Sequence, residues 1–251
     1  MTAAKTALKT LAMVACFIAP LAALGQADSA KLSDGWLDSL SPASAVAWSH
    51  AFALRESTAS TLEDKRRRLV AELETLITSA RLGKSEARAA GLAAWRQQLA
   101  ESNSLPARTP GRFDLPWLGA NPRQDLPLAK IAQWGSCKPP GWVEMWHLGG
   151  VTRVPWHEGM TLDGALERLA RDGDGDASVD YAWLITPTGK RHRRGIAAWN
   201  AEPTPLTAGS RVMLELPSRS LAAGVLVNER LPAYLATRLP GDNCTTWSKD
   251  T

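Results

Sequence analysis

The sequence has little excess charge of either sign and, beyond its N-terminal segment, no long hydrophobic run. Among its 251 residues, 29 are Lys or Arg and 25 are Asp or Glu, which gives a formal net charge of +4. Because Lys5 and Lys9 lie in a segment that we expect to be removed, the remaining balance is 27 basic against 25 acidic residues, or +2. These two features exclude a strongly basic nucleic-acid-binding protein and a polytopic membrane protein.

Tyrosine and phenylalanine are scarce, whereas tryptophan is abundant. The chain has 2 Tyr and 3 Phe but 11 Trp. Indole rings fill protein cores, yet their flat amphipathic shape also suits surfaces that hold sugars or proteins. The composition therefore favours a globular protein with a surface that binds a sugar or another protein.

The N-terminal segment predicts a secretory signal peptide over residues 1–27. The two lysines named above precede an uncharged run over residues 11–24, and small residues follow it. Cleavage is expected after Gly25 or Ala27. The apolar run is shorter than the roughly 20 residues that a membrane span needs, so we expect the mature chain in the periplasm and not inserted in a membrane.

Three cysteines are present, and two of them lie outside the predicted signal peptide. Cys16 lies within it, where lipoprotein processing is a weaker alternative. Cys137 and Cys244 form an even pair in an oxidising compartment, which favours a disulfide; the alternative is two thiols too far apart to bond. Because His147 and His157 have no ligand spacing with either cysteine, we expect neither metal nor cofactor.

The first half of the chain predicts a helical hairpin over residues 60–103. Leucines recur at three- and four-residue steps up to Gly83, and a second helical pattern follows over residues 85–102. Residues 28–59 show no clear strand pair. Residues 104–140 are rich in proline and predict an irregular linker with short strands near 112–115 and 128–133.

Residues 141–217 predict a β-grasp domain, and the fold class is therefore α+β. Two hairpin patterns enclose a helix whose buried stripe is Leu162, Leu166 and Leu169, and a final strand follows at residues 211–216. One face of such a sheet packs on the helix. The other face is expected to be free for solvent or a partner.

Several short motifs in this half of the chain resemble a known family. They are Gly149-Gly150-Val151, Gly159-Met160-Thr161-Leu162, Leu184-Ile185-Thr186-Pro187-Thr188-Gly189-Lys190, Ile196-Ala197-Ala198-Trp199-Asn200 and Leu206-Thr207-Ala208-Gly209-Ser210-Arg211-Val212. Together they resemble the GfcC-type capsule biosynthesis proteins, whose β-grasp domains are similar to the soluble-ligand-binding β-grasp domains of polysaccharide export proteins.

The resemblance implies a non-catalytic periplasmic protein of capsule or exopolysaccharide biosynthesis. Its implied partners are the outer-membrane polysaccharide export machinery or the polysaccharide itself. Members usually have a first β-grasp domain that the helical hairpin interrupts. In this chain residues 28–59 are short, so that domain is expected to be reduced or missing.

Two groups of residues are candidates for a glycan or partner surface. Trp142 and Trp146 share one face of a predicted strand, either as core residues or as an exposed sugar platform. The second group is a basic strand edge, which either prevents sheet pairing or contacts an acidic polysaccharide. It comprises Arg191, His192, Arg193 and Arg194. Trp183 and Trp199 are expected in the core.

A second function class remains open, a periplasmic glycan-acting hydrolase. Its only support besides the tryptophan content is a group that contains Glu144, His147, His157 and Glu158. The aspartates of residues 172–180 have the spacing of a calcium-binding loop, but the loop lacks the required glycine and the final glutamate. We therefore expect no catalytic residue and no metal site.

The C-terminal segment predicts a short amphipathic helix in residues 218–251. Its apolar stripe is Leu231, Tyr234, Leu235 and Leu239. Because Pro232 suits the first turn of a helix, the regular part is expected to begin near Leu231 and to end near Leu239. Such a helix is too short to cross a bilayer, so we expect it to pack on the protein itself or on a partner.

Overall fold

The computed structural model describes residues 30–41, 45–102, 106–171, 179–217 and 224–249. The predicted signal peptide and the calcium-like loop up to residue 178 lie outside these described residues. Helices and strands are both well represented, which confirms the α+β class.

The helices and strands follow each other in an order that groups them into two sheets. The helices are α1 (Leu32–Ser39), α2 (Glu56–Leu82), α3 (Glu86–Glu101), α4 (Leu115–Ala120), α5 (Leu162–Arg171) and α6 (Gly224–Leu235). The strands are β1 (Ala51–Arg55), β2 (Ile131–Cys137), β3 (Trp142–His147), β4 (Gly150–Pro155), β5 (Tyr181–Ile185), β6 (Arg191–Gly195), β7 (Arg211–Leu214) and β8 (Cys244–Trp247).

The larger sheet has five strands in the order β4-β3-β7-β5-β6. β3 and β7 are parallel, and the hairpins β3–β4 and β5–β6 flank them with antiparallel pairing. The helix α5 connects the two hairpins. The element order predicted for a β-grasp unit is therefore present.

One face of this sheet packs against α5. Leu162, Ala165 and Leu169 are buried there against apolar residues of β3, β5 and β7. Leu166, which was expected in the buried stripe, is only partly buried. Leu162 and Leu169 are buried as expected, and only the middle position differs, because Ala165, rather than Leu166, faces the sheet.

The opposite face of the sheet is covered as well, contrary to the expectation that it is free. Trp146, Ile185 and Met213 pack there against α2, α3 and α6 in one continuous core. The close approach of α3 depends on Gly91, since a Cβ at this position would lie 1.7 Å from the carbonyl oxygen of Leu148. Apolar side chains on both faces of the sheet thus require helices on both faces.

A second sheet of three strands joins distant parts of the chain in the order β1-β2-β8. Residues 28–59 therefore supply a strand, although no strand pair is evident in their sequence. The central strand β2 comes from the segment expected to be an irregular linker, and the strand predicted there near 128–133 is confirmed from Ile131 onward, although it extends to Cys137. The strand predicted at 112–115 is wrong, because Asp114 caps α4 there by accepting a hydrogen bond from the backbone N–H of Trp117.

The predicted disulfide between Cys137 and Cys244 is confirmed. The two residues are direct partners in the register of β2 and β8, and their sulfur atoms are 2.05 Å apart. The bond fixes the C-terminal strand to the centre of the smaller sheet.

The C-terminal helix begins at Gly224, earlier than the predicted start near Leu231, and it ends at Leu235 instead of Leu239. Pro232 lies inside it and removes one backbone donor, which costs about 3 kcal/mol. Burial of Val227, Leu231 and neighbouring side chains against α2 offsets this cost. Within the described part of the chain, no helix is long and apolar enough to cross a bilayer.

Substitution of two leucines of α5 distinguishes its buried face from its rim. We expect Leu169→Ala to lower the free energy of unfolding by about 3 kcal/mol, since this side chain is fully buried. Leu166→Ala should cost less than half as much, because the helix propensity changes equally in both variants but less surface is lost. Chemical denaturation measures both; equal losses would contradict the orientation of α5.

Reduction of the disulfide should destabilise the protein by about 4 kcal/mol, because the bond closes a loop of 107 residues in the unfolded chain. Urea denaturation with and without a reducing agent measures the difference. A variant with both cysteines changed to serine is the control, and reductant should not alter its stability. An unreduced protein without the loss of two hydrogen masses would contradict the bond.

Candidate functional site

An open cavity of about 320 Å³ lies where the face of the larger sheet that packs on α2, α3 and α6 meets the C-terminal tail. β3, β4 and β7 form one wall, the ends of α3 and α6 form another, and residues 241–246 form the third. Its charged members are Glu144, Arg153, Arg211, Arg238 and Asp242. The cavity therefore collects three guanidinium groups and two carboxylates.

The deepest charged pair in the cavity joins the two central parallel strands. Glu144 of β3 and Arg211 of β7 are register partners, and Nε of Arg211 donates to Oε1 of Glu144 at 3.0 Å. Both side chains are less than a tenth exposed. The same Oε1 accepts a hydrogen bond from the indole N–H of Trp146, and Arg211 also donates to the backbone oxygen of Leu239.

Burial and charge act in opposite directions on Glu144. Burial raises the pKa of its carboxyl group, but Arg211, the Trp146 indole and Arg153 together lower this pKa below its ordinary value. The group is thus held as a carboxylate. Its role in the cavity is to neutralise and orient arginine side chains.

The rim of the cavity holds a more exposed arrangement around Arg153. The guanidinium of Arg153 donates two hydrogen bonds to the carboxylate of Asp242, at 2.8 and 3.0 Å. It also lies 4.1 Å from the ring centre of Trp142, whose indole N–H donates to the same carboxylate at 2.9 Å. A carboxylate is therefore held by three donors at this rim.

Arg238 is the third arginine of the cavity, and it differs from the other two in its partners. In the described ranges of the chain, no carboxylate lies within 4.0 Å of its guanidinium. It donates to the backbone oxygen of Ser102 at 3.3 Å. Burial and the nearby Arg211 lower its pKa, while Tyr234 and Glu144 act to raise it. The cavity thus has one positive charge without a paired acid.

The two tryptophans of the predicted platform have different environments. Trp146 is buried in the core, with its ring 5.7 Å from that of Trp95. Trp142 is half-buried at the rim, and arginine side chains lie near its ring. The pair therefore does not form one exposed stacking surface: Trp146 lines the cavity from the core, and Trp142 lies at the rim beside Arg153.

The predicted basic edge lies on β6, separated from β3 by two intervening strands, a distance of roughly 14 Å. Arg193 forms an ion pair with Glu215 and stacks on the ring of Tyr181, and Arg194 forms an ion pair with Glu202. Burial, Lys190 and Arg194 lower the pKa of His192, and Arg191 is exposed. These four residues do not join the cavity.

Trp183, Trp199 and the C-terminal apolar stripe differ in how far they are buried. Trp183 is partly buried against the main core, but Trp199 is 70% exposed, so its expected core position is wrong. It sits on a turn after β6 that the Asn200 side chain closes, and it contacts Tyr181 edge-on. Leu231, Tyr234, Leu235 and Leu239 are buried in the protein itself.

The residues suggested for a hydrolase are not brought together. Glu144 and His147 point to opposite faces of β3, because they are three positions apart on a strand. His147 is buried and bonds to Thr152, while His157 is exposed and contacts the backbone oxygen of Glu158. Among the residues that the structure describes, no group of three potential metal ligands occurs.

The charged residues of the cavity were not predicted as a site, apart from Glu144 in its hydrolase group. Arg153 and Arg211 come from β4 and β7, and Arg238 and Asp242 come from the chain after α6. One signal was available: Arg211 interrupts the apolar face of β7 that does not pack on α5. A charge at an inward-facing strand position requires a buried partner.

Residues 150–240 match the family model described as capsule biosynthesis GfcC C-terminal. This match confirms the resemblance to the GfcC-type capsule biosynthesis family, and it includes Arg153, Arg211 and Arg238. No curated protein matches the chain.

The buried pair predicts a specific pH dependence. Because the folded-state pKa of Glu144 is lowered, the unfolded state binds more protons than the folded state does. The ion pair therefore stabilises the fold fully above the ordinary glutamate pKa of about 4.3. This stabilisation is lost as the pH falls through the folded-state pKa. Glu144→Gln should cost about 3 kcal/mol at neutral pH, and the difference from the parent protein should shrink in acid.

Urea denaturation between neutral pH and about pH 3 measures this difference, with Glu202→Gln as the control. Glu202 forms an exposed pair with Arg194, so its substitution should have a small effect at every pH. A constant penalty for Glu144→Gln down to the lowest pH would contradict the lowered pKa.

Proposed function

From the family match and the chemistry of the cavity, we propose that the protein is a non-catalytic periplasmic accessory protein of capsule or exopolysaccharide biosynthesis and export. It acts by binding an acidic polysaccharide at the cavity around Glu144, Arg153, Arg211 and Arg238. The observation that carries this proposal is the guanidinium of Arg238, which lines the cavity without a carboxylate partner in the described chain.

Arginine at this position supports an anionic ligand. Its planar guanidinium binds a carboxylate through two parallel hydrogen bonds, and partial burial strengthens such bonds. The cavity volume of about 320 Å³ lies within the range of small-molecule sites. An acidic sugar unit of a capsule polysaccharide offers the required carboxylate beside a hydroxyl-rich ring.

A binding role is supported further by the protonation state of Glu144 and by the hydrogen bonds of Asp242. Glycoside hydrolysis needs one carboxyl group with a raised pKa to protonate the leaving oxygen. Glu144 instead has a lowered pKa and is saturated by Arg211, Arg153 and Trp146. Asp242 is bonded to Arg153 and Trp142. A hydrolase is the weaker alternative for this reason.

The periplasmic location in this proposal has two supports. The N-terminal segment has the pattern of a secretory signal peptide. The disulfide between Cys137 and Cys244 suits an oxidising compartment. Fractionation of cells that express the full chain tests the location directly.

Binding to a short oligogalacturonide tests the cavity. We expect measurable binding by calorimetry that weakens with added salt, no binding of a neutral oligosaccharide, and a loss of at least about tenfold in affinity for Arg238→Gln. Arg238→Lys should retain part of the affinity. Arg194→Gln, which removes an arginine outside the cavity, is the matched control.

Two results would contradict the proposal. Equal binding of the charged and the neutral oligosaccharide would show that Arg238 does not bind a ligand carboxylate. Release of reducing ends from the oligogalacturonide during incubation would favour the hydrolase.

A further inference from the structure

We infer that Asp242 is a built-in occupant of the carboxylate position of this cavity and that a uronate group of the bound glycan displaces it. This inference rests on the proposed function. Asp242 follows the family-matched segment by two residues and lies on the tail wall of the cavity. Its carboxylate is bound as a ligand carboxylate would be.

The contacts of Asp242 define the receptor. Oδ2 accepts from Nη1 of Arg153 at 2.8 Å and from the indole N–H of Trp142 at 2.9 Å, and Oδ1 accepts from Nη2 of Arg153 at 3.0 Å. Paired guanidinium donors with a further N–H donor form a favourable arrangement for a carboxylate. The same three donors are available to an incoming acidic sugar when Asp242 leaves.

Exposure distinguishes Asp242 from the other acid of the cavity. The side chain of Asp242 is 59% exposed, whereas that of Glu144 is 7% exposed. An exposed ion pair loses less free energy on separation than a buried one, because water solvates both partners when they separate. A buried acid that loses its partners has no such compensation. Asp242 is therefore exchangeable, and Glu144 is fixed.

The backbone around Asp242 is held in place, so only its side chain needs to move. The backbone N–H of Lys138 donates to the oxygen of Asn243 at 2.8 Å, and the disulfide follows at Cys244. A Cβ on Gly241 would lie 2.9 Å from the backbone oxygen of Lys138, which shows how closely the tail lies on the smaller sheet. Rotation of the Asp242 side chain empties the rim without unfolding the tail.

Asp242 lowers the apparent affinity of the cavity for a ligand carboxylate. The ligand binds only to molecules in which Asp242 has left Arg153, and these are only part of the population. Asp242 also favours carboxylate ligands, since a neutral sugar has no group that replaces Asp242 on Arg153. Asp242 thus restricts binding at this position to glycans that carry a carboxylate.

The test compares the full mature chain with Asp242→Asn by calorimetry, using an oligogalacturonide, monomeric galacturonate and a neutral oligosaccharide. We expect Asp242→Asn to bind the oligogalacturonide about three- to tenfold more tightly than the parent protein. The monomer should show the same direction of change if the carboxylate alone is recognised. The neutral ligand should bind neither protein.

The matched control is Glu202→Gln. It removes the same charge from an ion pair with an arginine, Arg194, and Glu202 has a similar exposed fraction, 51%. This variant should bind like the parent protein. Tighter binding by Glu202→Gln to the same extent would show that only net charge matters and would overturn the inference.

The outcomes separate this inference from the proposed function. Binding by the parent protein with unchanged or weaker binding by Asp242→Asn overturns the competitor role alone. Binding by neither protein overturns both statements. The NMR signal of the Trp142 indole N–H, assigned with Trp142→Phe, should move in Asp242→Asn, which loses the carboxylate acceptor, and should return toward its parent position when the oligogalacturonide binds this variant.

Discussion

The buried ion pair between Glu144 and Arg211 is the interaction on which the rest of the structure depends. It joins the two parallel strands at the centre of the larger sheet, and neither charge can be left alone there without a large cost. Glu144 also orders Trp146 in the core and contacts Arg153 at the rim, while Arg211 holds the chain beyond α6 through Leu239. Core packing, tail position and cavity chemistry therefore share one constraint.

A second buried cation brings together the segments that meet near this pair. Arg108 is 1% exposed, and it donates through Nε to the oxygen of Ala236 and through Nη2 to that of Thr186. Its backbone N–H donates to the oxygen of Thr237. Burial and the charge of Arg211 lower its pKa strongly. Backbone dipoles, instead of a carboxylate, thus stabilise this charge and link the end of α6 to the turn after β5.

The sequence predicts what depends on neighbouring residues and misses what depends on distant ones. The hairpins, α5 and the helical hairpin follow from local periodicity, and the disulfide follows from the even number of cysteines outside the predicted signal peptide. β1 was missed because its partner β2, which the strand predicted near 128–133 partly covers, lies about eighty residues away. Trp199 was misplaced because hydrophobicity alone does not distinguish a braced surface turn from a core position. Arg153, Arg238 and Asp242 meet only through tertiary packing.

The difference in exposure between the two cavity acids explains how one site can serve stability and binding together. Glu144 is too deeply buried to exchange partners, so it fixes Arg211 and limits where Arg153 can reach. Asp242 is solvated, so its separation from Arg153 costs less than separation of the buried pair. A ligand can therefore compete for the outer donors without disturbing the central strands. Arg238, which has no acid of its own in the described chain, offers the ligand a further positive charge beside the donors that Asp242 releases.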